Sequence, residues 1–480
     1  MATRCAWGAA VRRPSKAIAG LVAGLLAGCS MAPTYVPPAT VAATAPAAFK
    51  EASGWSAAAP QDAAPRGDWW TIFNDPVLND LESRVEAGSP TLAAALARFE
   101  QARANARLTA ADLYPSLSVG SGVSRERQSA RRPNASAAST FTDVTVGGSL
   151  SYEVDLWGRI RDSVRADRAD AEASAADLAS ARLSLHTALA DAYYRLRGLD
   201  AQATLLNQTV EAFGRAQELT RARHEGGVAS GLDVSRADTV LADARSQLSA
   251  VAASRAAVEH EIAALIGANP SVFALAPVDQ RLDPPPVPAG APSELLQRRP
   301  DVAAAERRVF AANARIGAAR AAFFPNVTLG GSGGFEAVSG ALFSTPATYW
   351  ALGPLQAALA VFDGGARRAR LGISRGEYDE AAAQYRQAVL TAFRDVEDGL
   401  AASRYLAAQS SDQRDAVLAA ERTRDLAITR YRDGASDYLD VVTAQTAALQ
   451  SAQDLLTVQT SRMRAAVALI RALGGGYGAN

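Results

Sequence analysis

The amino-acid sequence predicts a chain of mixed class, mainly α-helical, made of two copies of one unit, each copy carrying two strands of the membrane-barrel kind. Three observations lead there: an internal repeat, two long stretches without proline, and short segments in which apolar and polar residues alternate.

Landmarks define the repeat. Leu113-Tyr114-Pro115-Ser116-Leu117 pairs with Phe323-Phe324-Pro325-Asn326-Val327 at an offset of 210 residues, and Asp155-Leu156-Trp157-Gly158-Arg159 with Asp363-Gly364-Gly365-Ala366-Arg367 at 208. Leu232-Asp233-Val234 against Leu439-Asp440-Val441, and Gly267 against Gly474, give 207. Offsets that drift so little describe a duplication rather than chance. The predicted organisation is a signal segment over 1–28, an Ala/Pro-rich lead over 29–67, a first repeat over 68–269, a proline-rich connector over 270–292, a second repeat over 293–474 and a tail over 475–480.

No proline occurs from Asn134 to Asn269 or after Pro354. Interior proline breaks helices, so these Ala-, Leu-, Arg- and Gln-rich stretches read as helix. In the first repeat helices are expected at about 90–112, 159–224 and 232–267, and in the second at about 300–322, 367–432 and 439–473. The 66 residues from Arg159 to His224 alone give roughly 100 Å of helix, longer than an ordinary domain. Turns are expected at Gly226-Gly227-Val228-Ala229-Ser230 and at the repeat mate Gly434-Ala435-Ser436. Beyond them, Val234, Ala237, Leu241, Ala244, Leu248, Val251, Arg255, Val258, Ile262 and Leu265 hold a 3-4 spacing, and Val441 to Ala472 repeat it with Arg462 matching Arg255. A second seam, Val442 to Leu473, runs beside it. Two adjacent seams let one helix pack on two neighbours, as in the wall of a helical tube; the same periodicity also fits the buried face of a solid bundle.

Strands are expected at about 115–126 and 142–156, then at about 325–336 and 348–362. Val144, Val146, Leu150, Tyr152 and Val154 alternate with Thr145, Gly147, Ser149, Ser151 and Glu153, giving one apolar and one small, polar face. The segment from Tyr349 to Phe362 alternates poorly. Four strands cannot close a barrel, whose smallest members have about eight, so strands facing lipid require several chains.

At the N-terminus, Arg4, Arg12, Arg13 and Lys16 precede an apolar run that ends in Leu26-Ala27-Gly28-Cys29, the form of a signal peptide with a lipobox. Cys29 is therefore expected as the mature N-terminus, carrying an N-acyl group and an S-diacylglycerol. Cys5 leaves with the signal, so the mature chain has no disulfide to form. Removing the four basic residues leaves 45 Lys and Arg against 49 Asp and Glu, a net charge of −4 that gives no reason to expect nucleic acid. After the signal no apolar run reaches the length of about eighteen residues that a helical span needs.

Catalysis finds no support. His186, His224 and His260 fall in expected helix, with no Cys/His cluster, nucleophile elbow or phosphate loop near them, and no metal site is suggested. Tyr114, Trp157, Phe323 and Phe324 at strand ends suit either an interfacial aromatic girdle or ordinary packing. Arg125, Arg127, Arg131 and Arg132 surround an outer loop, either simply solvated or touching lipopolysaccharide phosphates.

Several ordered motifs carry a resemblance. Glu294-Leu-Leu-Gln-Arg-Arg-Pro-Asp-Val302, continued by Ala305-Glu306, Ile316-Gly317 and Phe323-Phe324-Pro325, together with Asp68-Trp69-Trp70 and Phe73-Asn74-Asp75-Pro76, resembles the outer membrane factor (TolC-type) family, most closely its lipoprotein branch serving resistance-nodulation-division pumps. The resemblance spans nearly the whole mature chain. It implies a homotrimeric outer membrane β-barrel of four strands per chain, continued by a long α-helical barrel in the periplasm. Its implied partners are a periplasmic membrane fusion (adaptor) protein, an inner membrane resistance-nodulation-division transporter and outer membrane lipid. Leu439 and Asp440, with Leu232 and Asp233 as their repeat mates, match the family's periplasmic gate; the competing role for the aspartates is helix capping. Thr443 and Thr446 stand where that branch can carry charges, a departure from the salt-bridged form of the gate. Gly227, Val228, Ser230, Gly434, Ala435 and Ser436 are the expected adaptor-contacting tips. The function implied is a passive, non-enzymatic exit duct for small amphiphilic compounds such as drugs. A duct for type I polypeptide secretion and a lipid-tethered periplasmic scaffold are the alternatives.

Overall fold

The computed structural model describes residues 30–36, 67–131, 137–278, 282–285 and 299–475. The signal segment, Cys29, most of the lead, part of the connector, Arg132 and the last five residues lie outside the described residues. The elements run α1 (Pro76–Gly88), α2 (Pro90–Ala111), β1 (Ser116–Gln128), β2 (Ser139–Val154), α3 (Arg159–Glu225), α4 (Gly231–Leu265), α5 (Pro300–Ala321), β3 (Asn326–Ala337), β4 (Thr348–Ala358), α6 (Ala366–Arg432) and α7 (Tyr438–Ala472), with a 3-10 turn at Trp69–Phe73. From α2 to α4 and again from α5 to α7 the order is helix, strand, strand, long helix, shorter helix, so the duplication is visible in the fold. Both long helices have 67 residues, and both that follow have 35.

Two compact units emerge. The first gathers Glu100–Ala173 and Glu306–Gln384 with the segment 30–36; the second gathers 67–99, Ser174–Ala305 and Tyr385 onward. Helices α2, α3, α5 and α6 contribute residues to both.

In the first unit the four strands form one antiparallel sheet in the order β1-β2-β3-β4. Its register brings Leu117, Leu150, Gly331 and Leu352 into one row and Ser118, Ser149, Ser332 and Ala351 into the next. Side chains alternate across a sheet, so these rows belong to opposite faces. β4 shows why its segment alternates poorly: the register slips between Leu329 and Gly331, beside the cis peptide Gly353-Pro354. The segment expected as strand to about 362 leaves the sheet at Ala358, where Arg367 bonds the Ala360 carbonyl and the Asp363 carboxylate. Beneath the sheet, α3 and α5 meet through Ala166, Ala169, Ala311 and Ala314, small side chains that let two helices approach closely.

The second unit holds the largest apolar core. Leu78, Leu81 and Val85 of α1 pack with Leu189, Tyr193 and Leu196 of α3, Val258 and Ile262 of α4, and Met463, Val467 and Ile470 of α7. Fully burying each large side chain contributes about 1.5–3 kcal/mol. Helix α1, which sequence reading did not resolve, begins where Asp75 accepts from the amides of Val77 and Leu78 ahead of Pro76. The same carboxylate accepts from the Tyr193 hydroxyl at 2.6 Å. The Trp69-Trp70 motif is thereby explained as packing, since both rings are buried in this core. Arg299 of the Arg-Arg-Pro-Asp motif bonds Asp301 at 2.7 Å, Asp395 at 3.2 Å and the Ala472 carbonyl at 3.3 Å, tying the start of α5 to the end of α7. Every residue of the two expected seams on α4 and α7 is buried or half-buried. The polar break is an ion-pair site: Arg255 meets Asp200 at 2.7 Å and Glu259 at 3.3 Å, while Arg462 meets Asp283 at 3.2 Å.

Candidate channel surfaces

The polar face of the sheet in the first unit carries Ser116, Ser118, Gly120 and Gly122 of β1 opposite Ser151, Ser149, Gly147 and Thr145 of β2. Tyr349 lies on this face as well, its row partners being Gly334 and Gly147, and its hydroxyl occupies the space a side chain on Gly147 would need. The opposite face presents Leu117, Val119 and Val123 of β1 and Trp350, Leu352 and Leu355 of β4, each at least 70% exposed in the single chain. So much exposed apolar surface on one side of a sheet marks contact with lipid or protein. Both outer strands, β1 and β4, keep an unpaired edge. Edges of this kind recruit further strands.

Aromatic side chains collect where the sheet meets its helices. Trp157 donates from Nε1 to the Pro325 carbonyl at 2.9 Å and stacks on Phe324 at 4.7 Å, while Arg367 lies over the Phe323 ring at 5.6 Å. Tyr114 is exposed in the same unit. The sheet's outer-loop end carries Arg125, Arg127 and Arg131.

In the second unit the two helical turns close in the same way. Gly227 (φ 77°) and Gly434 (φ 75°) occupy the left-handed region that glycine alone enters without strain. Val228 N donates to the Arg223 carbonyl and Ala435 N to the Arg430 carbonyl, both at 2.8 Å, sealing each helix end. The turns then diverge. Asp233 is taken up by helix capping: Ser230 Oγ and N donate to its carboxylate at 2.8 and 3.2 Å, and its own amide donates back to Ser230 Oγ. Arg236 pairs with it at 3.5 Å. No such box forms at α7, where the Asp437 side chain makes no cap bond and Asp440 is exposed. Leu439 is 48% exposed and Leu232 59%. Of the four expected gate residues, Leu232, Leu439 and Asp440 are thus exposed in the single chain, and Asp233 is committed to its own helix. Val228, Ser230, Gly434 and Ala435 are exposed; Ser436 is half-buried.

Sequence reading missed the contact that joins the two turns. Arg223 donates to the Tyr431 carbonyl at 2.7 Å and lies over the Tyr431 ring at 4.6 Å; Tyr431 in turn packs on the buried Tyr438. The residues that could have signalled it, Tyr431 and Tyr438, bracket the second turn as its only aromatics.

A second missed cluster surrounds His186 on α3. Its Nδ1 lies 2.6 Å from Glu82 Oε2 and its Nε2 3.0 Å from Glu86 Oε1. Trp70 stacks on the ring at 4.5 Å and Arg182 pairs with Glu86 at 2.7 Å. Burial pushes Glu82 up to about 7 against the lowering effect of His186. On His186 burial opposes the charge, yet the bonds to Glu82 and Glu86 outweigh it and raise the pKa above its ordinary value. Among the described residues no group of three or more His, Cys, Asp and Glu is arranged to hold a metal ion.

Against this geometry, known proteins give consistent matches. The family described as outer membrane efflux protein matches residues 81–268 and 291–475. The chain is 35% identical to the probable efflux pump outer membrane protein TtgC of Pseudomonas putida over 463 residues, 95% of this chain and 94% of the relative. It is 33% identical to outer membrane protein OprJ of Pseudomonas aeruginosa over 475 residues, covering 97% of both. The solved outer-membrane channel OprN superposes with a TM-score of 0.85 at 30% identity, over 93% of this chain and 99% of its own.

Proposed function

The chain belongs to the outer membrane efflux protein family, and from that premise we propose that it works as a homotrimeric, non-enzymatic exit duct for small amphiphilic compounds. That it is the outer membrane channel component of an efflux pump, with a barrel sheet and a helical barrel extending into the periplasm, follows from its family and its relatives. The single observation that carries the finer reading is the sheet: one face apolar, one face Ser/Gly-rich, and both edges unpaired. A single chain cannot close it, and three copies make a barrel of a size that leaves an aqueous lumen. Relatives named for antibiotic and toluene efflux support the substrate class. A periplasmic adaptor engages the turns at Gly227 and Gly434, a resistance-nodulation-division transporter supplies the driving force, and acyl chains on Cys29 add a second hold on the membrane.

Leu439 and Asp440 of three copies form the constriction at the periplasmic end. Their exposure in the isolated chain and the absence of a cap bond support this role. Crowded carboxylates repel, and water, counterions and helix N-termini screen them. In planar bilayers the double variant Leu439→Ala, Asp440→Ala is expected to raise single-channel conductance and to lessen block by multivalent cations. Leu371→Ala, at the opposite end of α6 from the turn, is the control. Parental conductance and block in the double variant would place the constriction elsewhere, and a purified protein that stays monomeric would overturn the trimeric duct.

A further inference from the structure

Residues 30–36 lie against α3 and α5 in the unit that holds the sheet. Ser30 Oγ donates to Asp162 Oδ1 at 2.7 Å, Asn313 Nδ2 to the Pro33 carbonyl at 2.9 Å and Arg320 to the Met31 carbonyl at 3.4 Å, while Tyr35 meets Phe310 edge-on at 5.1 Å. Two of these partners are built into the wall: Asp162 is fully buried and Asn313 nearly so. Gly317 makes the passage possible. A side-chain carbon there would stand 2.7 Å from Ala32 N and 2.8 Å from Ala32 Cα, and would strike Asp162 Oδ2. Real carbon atoms do not approach so closely, so any other residue displaces the segment or the carboxylate.

From these contacts we infer that the cleft formed by Asp162, Asn313 and Gly317 is a docking site for the processed N-terminus, one that fixes the level at which the lipid anchor leaves the protein. The inference rests on the reading of Cys29 as the acylated mature terminus. Cys29 directly precedes Ser30, so one residue separates the acylated sulfur from a carboxylate in the first turn of α3. That helix starts five residues after β2 ends at Val154, whose row partner on β3 is Val327. The anchor therefore has almost no slack, and its acyl chains emerge at the rim where the apolar rows of the sheet begin. Lipid and sheet enter the same leaflet side by side; the lead is a registered part of the wall and not a loose tether. The Ile316-Gly317 motif has its physical reason here, and the sequence alone gave no hint of it.

Spin-label mobility tests the cleft. Mature protein has Cys29 as its only cysteine, which acylation removes from labelling, so Thr34→Cys offers one exposed labelling position. In full-length protein held in lipid nanodiscs, the label is expected to be restricted in the parent. Gly317→Ala combined with Asp162→Ala relieves the side-chain clash but keeps the clash with Ala32, so the label should tumble at least about threefold faster on the nanosecond scale. Asn313→Ala, which removes the donor without adding bulk, should give an intermediate result even if the double variant folds poorly. A mobile label in the parent, or a label as restricted in both variants as in the parent, overturns the docking site. The mass of the N-terminal peptide decides the anchor separately: a free thiol on Cys29 with a restricted label removes the lipid and leaves the cleft.

Discussion

Both ring nitrogens of His186 face carboxylate oxygens, and a neutral imidazole has one proton to offer. Each contact is attractive only if a proton lies in it, so the cluster holds two protons, the second carried by His186 or by Glu82 as a coupled pair. Arg182 keeps company with Glu86, leaving the fully buried Glu82 to bear the cost of losing that proton. The folded-state values of Glu82 (from 4.5 to about 7) and His186 (upward from 6.5) are both raised. Stability from a raised group is complete below its ordinary value and lost as pH climbs through the folded one. Hydrogen exchange across α1, corrected for intrinsic rates, should therefore show protection that falls as pH rises from about 4.5 through about 7, where Glu82 titrates, and falls further as His186 loses its proton above 6.5. Glu82→Gln can still bond Nδ1 without titrating and should flatten the dependence. His186→Ala strands a buried carboxylate and should cost about 3–5 kcal/mol. A flat profile in the parent would remove the shared proton. Sequence reading placed His186 in a helix but gave no pairing, because Glu82 and Glu86 lie about a hundred residues away and only the packing of α1 on α3 brings them near.

At the scale of the element, the sheet yields its logic to a period of two. Leu150 sits in the row of Leu117 and Leu352, Ser149 in the row of Ser118 and Ser332, so neighbours in sequence face different solvents. Leu150→Arg should cost about 2–4 kcal/mol if its row lies near the bilayer midplane, while Ser149→Arg in the lumen should be tolerated better. Heat resistance of the assembled oligomer on gels measures the order, and equal losses for both would remove the assignment of faces. Long helices were legible from missing proline and heptad spacing. Helix α1 was not, since its thirteen residues owe their helicity to Asp75, Pro76 and a core contributed by distant helices.

For the whole molecule, two apolar surfaces reach the membrane: the sheet face and, on the reading of the lipobox, acyl chains on Cys29. Acyl chains strengthen anchoring without being its sole source. Cys29→Ser, with the signal retained, should lose its acyl groups on mass spectrometry yet remain in the outer membrane fraction, held by its strands. Recovery of folded protein in the soluble periplasm would argue for a tethered scaffold instead. The duplication also bears on assembly: two strands per repeat and two repeats per chain leave β1 and β4 open, so closure depends on other chains.

The sequence by itself determined the class, the duplication, the number and nature of the strands, the long helices with their seams, and the family resemblance. All of these are periodic or local, written in proline placement, alternation and ordered motifs that survive without knowledge of contacts. Only the tertiary structure decided what individual residues do. It separated Asp233, spent on a capping box, from Asp440, left exposed, although the two occupy matching places in the repeat. It turned the Trp-Trp and Arg-Arg-Pro-Asp motifs into packing and ion pairing, joined the two turns through Arg223 and Tyr431, and gave Gly317 the segment that passes over it. Such roles depend on which atoms meet across hundreds of residues, and no pattern along the chain records that distance.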